Sequence, residues 1–293
     1  MNKQQRTMIT FPCAKINLGL NIVEKRPDGY HNLETVFFPV NIADALSIHE
    51  MPENYPYTSP CSLKVTGTDY LCNDDDNLVV KAYKKIAAEH EVPRIFANLH
   101  KNIPSQAGMG GGSSDAAYMI RLLNEAFSIG MTQQEMERHA AQLGADCAIF
   151  VSTDPTNPKG VYATGIGEIL SPLPETWNAL NGKWMALIKP DVAVSTKQAF
   201  AGITPRKPIK NCRDIVLQPI ETWKEELKND FEESIFPQLP ILAEVKQLLY
   251  DNGAVYAAMS GSGSTIFGIF DEEPTFVTEK FSKYYNYYYK ITY

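Results

Sequence analysis

Residues 14–22 alternate strictly, with Ala14, Ile16, Leu18, Leu20 and Ile22 facing one way and Lys15, Asn17, Gly19 and Asn21 the other. That period of two predicts a half-buried strand with one polar face. Asp28-Gly29 marks a turn, after which residues 33–40 predict a second strand and residues 44–49 a third. The three prolines between 51 and 60 predict a loop, residues 77–90 a helix, and residues 94–100 a further strand. A glycine-rich loop over 104–112 leads into a helical stretch over 113–127. Thr132 and Glu135 have the spacing of a capping box that opens another helix, with Gly144 closing it. The apolar run 147–151 predicts a short buried strand, and the proline- and glycine-rich segment 154–174 a junction between halves. Beyond it come a strand over 184–188, a helix over 242–250 ended by Gly253, and strands over 255–258 and 265–270 that flank a loop of small residues. The last ten residues hold six of the fifteen tyrosines and predict a final strand or helix packed on the second half, or else a contact surface. Strands and helices mix without regular βαβ alternation, so the fold class is α+β. No repeat of 20–50 residues is present.

Composition changes this picture little. With 44% hydrophobic and 21% charged residues over 293 positions, the chain is globular and long enough for one large domain or for two cores; the junction at 154–174 favours two, divided as 1–163 and 164–293. Charge changes it more. A formal net charge of −7 argues against binding along a nucleic acid backbone, where affinity comes from neutralising many phosphates. It does not argue against a small anion, which needs only local positive potential. The five cysteines are scattered without a C-x-x-C pair, and no H-E-x-x-H occurs, so neither a disulfide framework nor a zinc site is expected. Lys3 and Arg6 precede an apolar stretch broken by Pro12 and Lys15, too short for a signal peptide. No apolar run approaches the roughly 18 residues of a membrane span. The expectation is a cytoplasmic protein without membrane or nucleic acid partners, monomeric or homodimeric.

The chemistry concentrates in Pro104, Ser105, Gln106, Ala107, Gly108, Met109, Gly110, Gly111, Gly112, Ser113 and Ser114. Four glycines let the backbone come close to a ligand. The helix that follows offers unpaired N–H groups and the positive end of its dipole to a phosphate. Ser113 and Ser114 add hydroxyls, one within reach of a bound Mg²⁺. No lysine follows the glycines, so this is not a P-loop, and Ser113 breaks the dinucleotide fingerprint. Taken alone, the segment reads also as a flexible turn before an amphipathic helix. Two companions strengthen the phosphate reading: the small-residue loop 259–265, and Asp146, placed just past a helix end.

Together these segments resemble the GHMP kinase superfamily, whose signature is the loop at 104–114 with the loop at 259–263. Residues 14–18, the segment 25–31 with Leu33, Thr35 and Phe37, and the segments 74–78, 144–146 and 229–232 resemble the branch that phosphorylates 4-diphosphocytidyl-2-C-methyl-D-erythritol. The matches run in order from about Pro12 to Phe270. Cys13 stands where the family often has proline, and Met109 where it usually has leucine. The resemblance implies a two-domain fold, with an N-terminal half like ribosomal protein S5 domain 2 and a ferredoxin-like C-terminal half. It implies ATP as co-substrate, with Mg²⁺ held by ligands the sequence does not identify, and transfer to the tertiary 2-hydroxyl of the CDP-linked methylerythritol. By the same resemblance Asp146 accepts the hydroxyl proton, and Lys15 stabilises developing alkoxide charge. Asn17 shares the face of Lys15. Tyr30 and His31 would recognise the cytosine end, with Phe200 as a second stacking face and Thr196 towards the reacting end. Asn77 would contact adenine, cap its helix, or both. Two alternatives stay open: another kinase of the superfamily, of the homoserine or mevalonate type, and a non-catalytic nucleotide-binding sensor.

Overall fold

The computed structural model describes residues 7–68 and 72–292; Lys3, Arg6 and Tyr293 lie outside them. In chain order the strands are β1 (Met8–Thr10), β2 (Cys13–Lys25), β3 (His31–Ala43), β4 (Ala45–Glu50), β5 (Cys61–Thr66), β6 (Ile95–His100), β7 (Val161–Thr164), β8 (Ile169–Pro172), β9 (Trp184–Lys189), β10 (Tyr256–Met259), β11 (Ile266–Phe270) and β12 (Tyr285–Lys290). The helices are α1 (Leu78–Ala87), α2 (Gly111–Ala126), α3 (Gln133–Ala141), α4 (Ile149–Ser152), α5 (Thr196–Ala201), α6 (Cys212–Val216), α7 (Trp223–Glu226), α8 (Phe231–Ile235), α9 (Pro240–Asp251) and α10 (Phe276–Lys280).

The chain forms two compact units, neither of them a single stretch. Unit 1 takes Met1–Ala14, Ile42–Ser105 and Gly110–Thr153; unit 2 takes Lys15–Asn41, Gln106–Met109 and Asp154–Tyr293. In unit 1 the sheet β1-β4-β6-β5 is antiparallel except for β5 and β6, a parallel pair joined through α1. Asn77 caps α1, its Oδ1 accepting from Val79 N at 2.9 Å. The capping box at Thr132 is formed, Glu135 N donating to the Thr132 hydroxyl and Thr132 N to the Glu135 carboxylate.

Unit 2 holds two sheets. The first, β2-β3-β7-β8, contains the expected first two strands. Its edge strand β2 is buried along both faces from Cys13 to Ile22, not on one as the alternation suggested. The polar face is covered because its side chains find polar partners: Asn17 donates to Thr35 Oγ1 at 3.0 Å, and Asn21 to Asp230 Oδ1 at 3.4 Å. The open hydrogen-bonding edge is covered as well. Lys15 N donates to Met109 O, Leu20 N to Lys228 O, Asp230 N to Leu20 O and Arg206 N to Ile22 O. A buried strand edge left unpaired would be costly and prone to association, and here distant backbone closes it.

The second sheet of unit 2, in the order β10-β11-β9-β12, is antiparallel throughout, with helices between β9 and β10 and α10 between β11 and β12. The first and third of its four strands are neighbours and the fourth lies outside the first, which is the ferredoxin-like arrangement. The tyrosine-rich end is its edge strand β12, paired with β9 from Tyr285↔Lys189 to Lys290↔Trp184.

Two expectations are corrected. The run 147–151 is not a strand: Cys147 N bonds Gly144 O and Val151 N bonds Ala148 O, giving a 3-10 turn at Ala145–Cys147 and then α4. A short apolar run carries no period that separates buried strand from buried helical turn. The segment 154–174 is not a bare junction, since it contains β7 and β8, with Thr35↔Ala163 pairing β3 to β7. Strand β5 and the short helices α5 to α8 and α10 had no counterpart in the sequence reading.

Candidate active site

Unit 2 gathers one group of the singled-out residues around Lys15. Its side chain is only 3% exposed, and the ammonium donates to Asn17 Oδ1 at 2.7 Å and to Gly108 O at 3.2 Å, 5.0 Å from the centre of the Phe37 ring. An ammonium is expensive to bury without such partners. Asn17 passes the network on to Thr35, whose hydroxyl donates to Gly19 O at 2.5 Å. The segment Gln106–Met109 is held from the other side too: Ser260 Oγ donates to Gly108 O at 2.9 Å and Thr265 N to Ala107 O at 3.2 Å. Gly108 has φ +72°, and a Cβ there would stand 2.1 Å from Ser260 O, so this close crossing of two loops admits only glycine. Gln106 also adopts positive φ, which is uncommon for a residue with a side chain. Asn229 fixes the second loop, donating to Met259 O at 2.6 Å and Gly261 O at 2.9 Å.

A second group in unit 2 is aromatic. His31 stacks on Phe200 with centroids 4.8 Å apart and planes inclined by 19°, and Phe200 meets Phe231 edge-on at 4.8 Å. Burial, with Lys25 nearby, lowers the His31 imidazole below its ordinary 6.5. Tyr30 is 61% exposed; its N–H donates to Asp28 Oδ1 in a turn braced by the Arg26–Asp28 ion pair. Thr196 is exposed on the first turn of α5, which Ser195 caps.

Unit 1 holds the remaining residues. Ser105 lies 3.4 Å from Thr68, hydroxyl to hydroxyl. Gly110, left-handed at φ 71°, starts α2, and Gly111, Gly112, Ser113 and Ser114 form its first turn. The Ser114 hydroxyl is buried without a hydrogen-bond partner. The Asp146 turn packs here: the Cys147 thiol bonds Ser113, and a Cβ on Gly144 would stand 3.3 Å from Cys147 Sγ and 4.0 Å from Ser113 Oγ. Burial pushes the Cys147 thiol up to about 11, so it is a neutral packing group beside Asp146 and not a nucleophile. Among the described residues no group of three or more His, Cys, Asp or Glu is placed to hold a metal ion.

Unit 2 thus joins Lys15, Asn17 and Gly108, and separately His31 and Phe200; unit 1 joins Ser113 with the Asp146 turn. Thr35, Ser260 and Asn229 were not singled out as site residues. Each nevertheless lay in a stretch that carries the family resemblance, Thr35 after the 25–31 segment, Asn229 in 229–232 and Ser260 in 259–263; the groups that Asn229 and Ser260 brace are far off in sequence.

Family models match both halves of the chain. The model of the GHMP kinases N-terminal domain matches residues 77–154, and that of the GHMP kinases C-terminal domain residues 211–286. The chain is 52% identical over 268 residues to the 4-diphosphocytidyl-2-C-methyl-D-erythritol kinase of Bacteroides thetaiotaomicron, covering 92% of this chain and 94% of that protein. The chain belongs to the GHMP kinases, among the 4-diphosphocytidyl-2-C-methyl-D-erythritol kinases. A member of that family from Parabacteroides distasonis is 43% identical over 273 residues, covering 93% and 95% of the two chains. A crystal structure of 4-(cytidine 5'-diphospho)-2C-methyl-D-erythritol kinase matches with a TM-score of 0.75 at 28% identity, over 96% of this chain and 98% of that one. Homoserine kinase from Cytophaga hutchinsonii and mevalonate kinase from Methanococcus jannaschii both match at a TM-score of 0.66, and at 14% and 12% identity these matches show a common fold. No helix among the described residues is long and apolar enough to cross a membrane.

Proposed function

We propose that this kinase transfers the γ-phosphoryl group of ATP to the tertiary 2-hydroxyl of 4-diphosphocytidyl-2-C-methyl-D-erythritol, in the cytoplasm, as a step of isoprenoid precursor synthesis. The observation that carries the reading is the buried Lys15 ammonium, hydrogen-bonded to Gly108 O within a backbone loop of the kind that cradles phosphates. The kinship with 4-diphosphocytidyl-2-C-methyl-D-erythritol kinases, such as the 52% identical one of Bacteroides thetaiotaomicron, supports the alcohol. In this reading Gly110, Gly111, Gly112, Ser113 and Ser114 give backbone N–H groups and hydroxyls to the phosphates, and Pro104, Ser105, Gln106, Ala107, Gly108 and Met109 complete the nucleotide-binding segment. Asn77 lies against the adenine. Asp146 takes the proton from the attacking hydroxyl and Lys15 offsets charge on the alkoxide and γ-phosphoryl oxygens. Asn17 orients Lys15, and Tyr30, His31, Phe200 and Thr196 hold the cytidyl and erythritol ends. The boundary between the two family domains falls at 163/164, within the interval from 155 to 210 that neither family model covers.

Mg²⁺ fits the residues present. Ser114 offers a buried hydroxyl without a partner, and Mg²⁺ commonly takes few protein ligands beside phosphate and water oxygens. Ser113 or Ser114 would supply that ligand, and the ion would add charge neutralisation at the phosphates.

Turnover measured side by side with the CDP-linked alcohol, homoserine and mevalonate tests the assignment. Activity only on the first is expected, and none on it would overturn the reading. In Asp146→Ala we expect nucleotide binding to persist and phosphoryl transfer to fall by a factor on the order of 10² or more; undiminished turnover would remove Asp146 from the mechanism.

A further inference from the structure

Unit 1 contains a buried cluster of charges in which none of the residues named so far takes part. Lys101 follows β6 and its backbone N–H extends the sheet, donating to Thr66 O at 2.8 Å. Its ammonium turns inward and forms ion pairs with Asp44 and, at 2.6 Å, with Asp115. The side chain of Lys101 is 10% exposed, that of Asp44 0% and that of Asp115 4%. Burial lowers the Lys101 pKa while Asp115 and Asp44 raise it by more, so the ammonium stays charged; burial in turn raises the Asp115 carboxyl well above the usual carboxylate range, against the pull of Lys101.

Each partner belongs to a different part of the phosphate loop's support. Asp44 sits between β3 and β4, and its Oδ1 accepts from Asn102 N at 2.5 Å and Ile103 N at 2.8 Å, the backbone that leads into Pro104. Asp115 lies on α2, directly after Ser114. Lys101 therefore ties the entry of the loop to the helix at its exit. Gly111 records how close it comes: a Cβ there would stand 3.3 Å from Lys101 Nζ and 3.1 Å from Ile103 Cγ2. The ammonium lies beside the first residue of α2, the helix whose first-turn N–H groups face the phosphates in the reading above.

We propose that Lys101, clamped between Asp44 and Asp115, is a positioning residue for nucleotide binding, which sets the distance between the loop entry at 102–104 and the first turn of α2. It touches no substrate atom in this assignment. It acts by holding the N–H groups of Gly111–Ser114 in register and by cancelling carboxylate charge that would otherwise lie under an anion site. A surface lysine on a loop would do neither. The inference rests on the ATP-dependent reading of this loop.

The test uses the full chain. In Lys101→Met, calorimetric titration with a non-hydrolysable ATP analogue is expected to show affinity weakened by on the order of tenfold to a hundredfold, as for a loop displaced by a fraction of an ångström. The KM for the alcohol, whose proposed contacts at Tyr30, His31 and Phe200 lie in unit 2, is expected to stay within about twofold. Lys101→Met leaves two buried carboxylates without a cation and is liable to unfold. The triple variant Asp44→Asn, Lys101→Met, Asp115→Asn removes all three charges at nearly constant volume and keeps the test open. It should fold, shown by a cooperative thermal transition, and still bind the analogue weakly. A folded triple variant with unaltered analogue affinity would overturn the proposal, as would equal losses for nucleotide and alcohol in either variant. A wild-type protein that binds no ATP analogue would instead overturn the reading on which it rests.

Discussion

His31 shows how a contact sets the chemistry of a single side chain. The ring is covered by Phe200 at 4.8 Å, and burial disfavours its charged form. Its pKa in the fold is lowered relative to 6.5, so the imidazole is neutral at pH 7 and has one nitrogen able to accept a hydrogen bond from a base edge. Because the unfolded chain takes up the proton at higher pH than the folded one, this group's contribution to stability is present above 6.5 and is lost as pH falls below it. Ring-proton NMR should find His31 titrating below 6.5, and in Phe200→Ala the titration should move back up towards that value. A titration that ignores Phe200→Ala would separate the two rings functionally. The stack has a further consequence for the proposed cytosine site: a base enters between these two rings only if they part.

At the scale of elements, local signals were legible and long-range ones were not. The capping box of α3 was readable because both of its hydrogen bonds join residues three apart. Thr132→Ala should cost about 1 kcal/mol, measured by urea denaturation, and leave catalysis intact, because the cap's hydrogen bonds run to Glu135, which has no proposed part in the site. The strand β2 was legible in position but not in burial. Its alternation is a local fact, whereas the partners that cover its polar face, Asp230 for Asn21 and Gly108 for Lys15, come from residues 93 or more positions away. The phosphate loop was legible because glycines and serines crowd into eleven residues. Its supports Lys101 and Asp44 were not, since a charged residue just past the end of a strand looks the same in sequence whether it is solvated or buried. The run 147–151 failed for a third reason: four or five apolar residues fit either structure, and Gly144 with the packing of α2 on α4 decided for helical turns.

Across the whole molecule, the chain passes five times between its two units, at 14/15, 41/42, 105/106, 109/110 and 153/154. Proximity in sequence is therefore a poor guide to which residues fold together. A fragment ending at residue 163 retains β2 and β3 but loses β8, Asn229 and Asp230, and with them the cover over Leu20, Asn21 and Ile22. We expect such a fragment to lack a cooperative thermal transition, while the intact chain shows one; a cooperatively melting fragment would mean that the N-terminal half is self-sufficient. The bridge between Leu20 and Asn229 carries the same argument into synthesis. As the polypeptide leaves the ribosome, the Leu20 end of that strand waits for more than 200 further residues before its outer edge is closed. Until then it is an exposed β-edge on a nascent chain, and keeping it from neighbouring polysomal copies is a task for chaperones rather than for the fold.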